Sequence, residues 1–280
     1  MSIPKEPRQL MINLMYLVLT AMLALNVSAE VMNAFFDLDK SLKTSNKLTQ
    51  QGVKSTKDGI QPLLDKKPLL KAPLNNGIGE VSTVVSEFVS YIEGIKDELL
   101  DASGNKDGTY DENDHYEGSF DNKPIGKKNK DVTTRLLVEG DPTTGVEPHG
   151  PQIADKVNIL KDKLIEIYSK TIQNKDVMKE GKLKEKEVKE RIDGIIASIP
   201  LSIESDEEIQ KKSQDGKEKS WSEYKFKQMP VAAVLPTLTK LQTDATNSEA
   251  TIVNKLAELV GGKEIKLNKF FPVINAKKDM

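Results

Sequence analysis

Residues 9–29 read QLMINLMYLVLTAMLALNVSA, 21 consecutive positions without a charge, closed by Arg8 on one side and Glu30 on the other. A helix rises about 1.5 Å per residue, so this stretch is roughly 31 Å long, the thickness of a bilayer's hydrocarbon core. It is read as a single transmembrane helix. Residues 1–8 then form a short tail on one side of the membrane, and everything after residue 29 lies on the other. A cleaved signal peptide is the rival reading, with Lys5 and Arg8 as its basic region and Val27-Ser28-Ala29 as a small-residue cleavage site. Against it, the apolar run exceeds the 7–15 residues usual for such a segment. The helical pattern also continues beyond the site, through Val31, Phe35, Leu38 and Leu42.

The stretch carries more than apolar bulk. Asn13, Tyr16, Thr20, Ala24 and Ser28 recur every three or four residues and so share one side of the helix. A lone anchor in lipid needs none of them. Small residues let another helix approach closely, and Asn, Tyr and Thr offer hydrogen bonds between helices, which makes these five a candidate helix–helix interface. Arg8, at the helix entrance, reads in two ways. It is an interfacial cation that snorkels to the headgroups and sets topology. Alternatively it pairs with an acidic residue on another membrane helix, an arrangement that marks ion or proton paths.

The eight-residue tail holds Lys5, Arg8 and the terminal amine against Glu6, whereas the far flank opens with Glu30, Asp37 and Asp39. By the positive-inside rule the N-terminus is cytoplasmic and the body exported. The net charge is −2, with 30% of residues charged and both signs mixed, unlike the clustered Lys and Arg of a nucleic-acid surface. There is no cysteine, hence no disulfide framework and no thiolate nucleophile or ligand. A tail of eight residues is too short for a signalling domain, so a receptor acting inside through its own domain is not expected.

Along the body, Gly52, Gly59, Pro62, Pro68 and Pro73 are expected to break the chain into short pieces after a helix reaching about residue 47. The spacing predicts helices over 76–103, 152–174, 182–198, 206–214 and 230–260. The last opens on Pro230 and closes on Gly261-Gly262. Between them, 104–150 is a polar excursion with a short extended pair at 133–139. The final stretch, 263–280, reads as linker or the start of a β segment, and the chain as cut short within a longer protein. The expectation is an all-α periplasmic helical bundle over 30–262, on a single membrane helix over 9–29, with no internal repeat.

Chemistry is sparse. Residues 103–114, SGNKDGTYDEND, place oxygen side chains near the positions of a calcium loop, with Gly108 at the sixth. Ser103 and Asp114 stand where Asp and a bidentate Glu belong, and no apolar helix follows, so it is read as a turn-rich loop. His115 and His149 are far apart and form no ligand set, so no metal or cofactor is expected. Trp221, Tyr224 and Phe226 are taken to clamp the bundle's end rather than to bind a ligand. No phosphate loop, GxSxG or HExxH is present, and no enzyme is expected.

Pro7-Arg8-Gln9, Met11-Ile12-Asn13, Met15-Tyr16-Leu17-Val18-Leu19-Thr20-Ala21 and Leu23-Ala24-Leu25-Asn26-Val27 resemble the N-terminal signature of the GldM/PorM family of the type IX secretion system. Trp221 and Tyr224, with the PVAAVL of 230–235, resemble the end of that family's first periplasmic domain. The resemblance implies a bacterial inner-membrane protein whose further β-rich domains are missing here. It also implies a homodimer whose two membrane helices sit inside a ring, expected to be a pentamer, of a GldL/PorL-type membrane protein. Proton flow would turn the pair, and the periplasmic part would carry the motion to outer-membrane secretion components. The family's arginine at the position of Arg8 pairs with a membrane glutamate of the ring. Asn13, Tyr16 and Thr20 are then expected to contact the ring or the second helix. The alternatives are a static membrane-anchored scaffold and a sensor ectodomain acting through a partner.

Overall fold

The computed structural model describes residues 7–25, 29–104, 123–140, 145–213 and 218–261, with the backbone alone at 7–8, 21–25 and 29. Among the described residues every regular element is helical, as the all-α reading expects. In order these are α1 (Pro7–Leu25), α2 (Ala29–Asp65), α3 (Pro68–Ala102) and α4 (Asp131–Thr134), the last running into a π-helical turn (Arg135–Glu139). There follow α5 (His149–Ile172), α6 (Lys175–Glu180), α7 (Glu185–Ser198), α8 (Asp206–Lys212), α9 (Trp221–Phe226) and α10 (Val231–Gly261). The expected linker at 263–280 lies outside the described residues. Among those described, no helix is long and apolar enough to cross a membrane, so the fold does not confirm the span expected at 9–29.

Two expectations fail. Gly52, Gly59, Pro62, Pro68 and Pro73 do not fragment the chain: α2 runs through the first three, and α3 starts at Pro68 and runs through Pro73. Each internal glycine costs a helix about 1 kcal/mol relative to alanine. Burying Val53, Ile60 and Leu64 is worth about 1.5–3 kcal/mol apiece and outweighs that. Pro62 lies in the last turn of α2 and Pro73 in the second turn of α3, so each removes a single intrahelical bond close to an end.

The extended pair at 133–139 is the second failure; it is α4 and the π-helical turn. Its β-branched residues suggested a strand, but side-chain hydrogen bonds close a helix first. Asn129 Oδ1 accepts from the N–H groups of Asp131 and Val132, both at 3.0 Å. The hydroxyls of Thr133 and Thr134 donate to the Lys130 carbonyl at 2.7 and 2.9 Å. Gly140, at φ 77°, then ends the turn in a conformation that favours glycine.

The chain divides into two compact units, with the division falling inside α2, α3, α5 and α10. The first comprises residues up to 43, 94–151 and 206–240. Its core gathers Met32, Leu99, Leu137, Ile209, Phe226 and the start of α10 from Val231 to Leu238. Loop carbonyls cap α10 there: Val231 N–H donates to Asn129 and Ala232 N–H to Lys127, each at 3.1 Å.

The second unit comprises 44–93, 152–205 and 241 onward. Here α2 and α3 form an antiparallel hairpin joined through Lys66 and Lys67, and Pro68 occupies the first helical position of α3, where its missing N–H costs nothing. Inward residues of α5 (Ile153, Val157, Leu160, Leu164, Tyr168) pack in the same core. Contacts Thr49–Asn247 and Thr56–Asn254 show α10 running parallel to α2. The Lys67 ammonium donates to the Val260 carbonyl at 2.9 Å, a cation at the end where α10's carbonyls are unpaired.

Candidate functional site

The expected membrane segment presents its side chains outward. On α1, Leu10, Met11, Leu14, Met15 and Leu17 are each between 62% and 73% exposed. A soluble amphipathic helix would bury such a face, and here nothing among the described residues covers it. Asn13, Tyr16 and Thr20 are exposed along the same helix. The Thr20 hydroxyl donates to the carbonyls of Tyr16 and Leu17, at 2.7 and 3.1 Å, so its proton is used by its own helix. Of the other predicted residues, Arg8 and Ala24 fall on the α1 backbone with their side chains outside the description, and Ser28 lies outside the described residues.

At the start of α2, Met32 and Asp39 point into the first unit, while Val31 and Leu38 are exposed and Phe35 and Leu42 half-buried. These four apolar positions step by four, three and four, the spacing of a coiled-coil seam. The buried Asp39 carboxylate pairs with Lys43 at 2.9 Å and accepts a hydrogen bond from the buried Thr239 hydroxyl.

The same unit holds the predicted aromatic clamp. Trp221 and Phe226 are buried and meet edge to face, with ring centroids 5.3 Å apart. A capping box starts α9: Ser220 accepts from Glu223 N–H, and the Glu223 carboxylate accepts from Ser220 N–H. That backbone N–H, and next the Lys227 ammonium at 3.1 Å, hold the Glu223 carboxyl below its ordinary pKa. His149 opens α5 and its Nε2 lies within hydrogen-bond distance, 2.9 Å, of a Glu98 oxygen. Among the described residues no group of potential ligands could hold a metal. His115 and most of the calcium-like loop at 103–114 fall outside them.

In the second unit a polar constellation appears that no motif announced. Lys57 of α2, Ser82 of α3 and Glu249 of α10 converge beside a groove of about 350 Å³. The Lys57 ammonium is 2.9 Å from Glu249 Oε1 and also donates to Ser82. The Ser82 hydroxyl is 2.7 Å from the same Glu249 oxygen. Two helical turns away, Gln242 Nε2 donates to the Val89 carbonyl and to Glu93, at 3.0 and 2.8 Å. Deeper in this unit, burial pushes the Tyr168 phenol above its ordinary pKa, opposed by the Arg191 guanidinium. The Lys57–Ser82–Glu249 arrangement joins α2, α3 and α10 within this unit.

Beside them, the α2–α10 contacts made by Thr49 and Thr56 carried a signal of spacing rather than composition. Thr49 and Thr56 are seven apart, as are Asn247 and Asn254, a period that an apolar stripe alone does not reveal.

No curated protein matches the chain. The sequence profile of the GldM N-terminal domain matches residues 30–258, most of the chain's length, from the second residue of α2 into the last turn of α10. The chain therefore belongs to the GldM/PorM family and is a component associated with type IX secretion and gliding motility.

Proposed function

We propose that the chain is the membrane-anchored subunit of an inner-membrane motor. Proton motive force would drive its N-terminal helix, and the helical body would carry the motion through the periplasm to the secretion and gliding machinery. The observation that carries this reading is the uncovered apolar surface of α1 on a member of this family. Such a face needs lipid or other helices around it. The polar side chains Asn13 and Tyr16 interrupt that face and favour neighbouring helices over lipid alone.

Two copies act together in this proposal, paired along the exposed seam of Val31, Phe35, Leu38 and Leu42 above their membrane helices. A ring of a second membrane protein surrounds the pair, and Arg8 forms an ion pair with a ring carboxylate. Two identical helices cannot satisfy every carboxylate of a five-membered ring at once, so protonation of successive sites would move the favourable position of Arg8 around it. One charge crossing 100 mV yields about 2.3 kcal/mol, enough to bias such steps.

The test is Arg8→Ala in the full-length protein. It is expected to abolish proton-driven secretion and gliding while leaving the amount of membrane-inserted protein unchanged. Retained motility sinks the motor. A static scaffold is the competing reading, and Asn13→Leu with Thr20→Leu separates the two: a scaffold tolerates both, whereas a motor stalls or fails to assemble.

A further inference from the structure

Within the second unit, α2 and α10 meet through two chemically identical contacts. The Thr49 hydroxyl donates to Asn247 Oδ1 and the Thr56 hydroxyl to Asn254 Oδ1, each at 3.2 Å. Both pairs are separated by 198 residues in sequence. The buried seam of α10 repeats the same way, with Gln242, Thr246, Glu249, Val253, Leu256 and Val260 at alternating spacings of four and three. Such a pattern is self-similar. Sliding α2 by seven residues, about 10.5 Å, sets Thr56 against Asn247 and re-forms one of the two contacts.

Lys57, Ser82 and Glu249 do not repeat. The positions seven residues from Lys57 are Gln50 and Leu64, and those seven from Glu249 are Gln242 and Leu256. Around Ser82 they are Asn75 and Val89. Any shift by a heptad therefore sets the Glu249 carboxylate against Gln50 or Leu64 of α2 and takes its ammonium away. Glu249 is 8% exposed, and an unpaired carboxylate so buried is strongly disfavoured. Charged groups placed this way add little net stability but select one alignment over others. We propose that the Lys57–Ser82–Glu249 network is the register lock of this unit, fixing the axial position of the α2–α3 hairpin against α10, where the Thr–Asn contacts alone favour the observed alignment by a single hydrogen bond. The lock is a property of the periplasmic helices and holds whether or not the membrane helix drives anything.

The chain has no cysteine, so introduced pairs report register without interference. Thr49→Cys with Asn247→Cys reads the observed alignment, and Thr56→Cys with Asn247→Cys reads the shifted one. In the parent, the first pair is expected to form a disulfide and the second to stay reduced. In the Lys57→Met, Ser82→Ala, Glu249→Leu background, the shifted disulfide is expected to rise about tenfold with helicity and Tm retained. A background that still cross-links only in the observed alignment overturns the proposal. Glu249→Gln, which keeps the shape and removes the charge, is the second variant should the triple substitution unfold. It must raise the shifted disulfide relative to the observed one, and an unchanged ratio overturns the lock equally.

Discussion

At the scale of single residues, the glycines divide by what a Cβ would meet. At Gly52 and Gly59 of α2 nothing lies within 4 Å, so Gly52→Ala and Gly59→Ala are each expected to stabilise by about 0.5–1 kcal/mol. At Gly150 an added Cβ would sit 2.2 Å from the Leu137 carbonyl oxygen and 2.4 Å from Ser222 Cβ. Gly150→Ala must push a backbone away and is expected to cost about 1–3 kcal/mol; chemical denaturation of the three variants checks both signs. Glu223 sets a pH dependence. Its folded pKa lies below the ordinary value, so its contribution is present above that value and is lost as pH falls through the folded one. Glu223→Gln should therefore flatten part of the fall in Tm on acidification toward about pH 4 and below. An unchanged slope would show the box to be unimportant. Tyr168 has the opposite sense: burial raises its pKa, so its contribution is present below the ordinary value and is lost at strongly alkaline pH.

At the scale of elements, periodicity located α5, α7, α8 and α10 to within a few residues, because an apolar stripe and a helix demand the same spacing. It failed where side chains hydrogen-bond the backbone. Thr133 and Thr134 open the segment expected to be extended, but Asn129 and the threonine hydroxyls cap a helical turn there. Thr134 Oγ1 also accepts from the N–H of Gln228, a residue held at φ 57°. Thr134→Val leaves that N–H without its acceptor, and a loss of about 1–3 kcal/mol is expected in thermal or denaturant unfolding. Gly and Pro were over-read as breakers, since packing of a long helix outweighs one weak position. Exposed elements predict differently. Val31→Glu with Leu38→Lys should leave the monomer's Tm nearly unchanged, because both side chains are exposed. If the seam joins two copies, the same pair should lower the dimer fraction of detergent-solubilised protein in light scattering. An unaltered dimer rejects this seam.

At the scale of the whole molecule, family membership accounts for the two helical units, while the motor reading rests on the membrane end. The exposed apolar surface of α1 is one that lipid or other helices would cover under the proposed motor reading. Purification of the full-length protein in mild detergent is expected to recover a second membrane protein. Arg8→Ala should lower motility without lowering that recovery by an equal factor. Loss of both together would make Arg8 an assembly residue instead of a driving one.

Residues 9–29 and the amphipathic stripes determined the helical class, an apolar N-terminal segment and the candidate residues on it, because hydrophobic spacing is written locally. Of the expected aromatic group Trp221, Tyr224 and Phe226, the first and last are buried against each other, while Tyr224 is half-buried. Tertiary structure alone decided that Asp39 partners Thr239 in the first unit and that Lys57 partners Ser82 and Glu249 in the second. Each is an ordinary polar residue on its own helix, and the partners lie on helices distant in sequence. Burial makes such groups consequential, and burial depends on which helices meet and in what register.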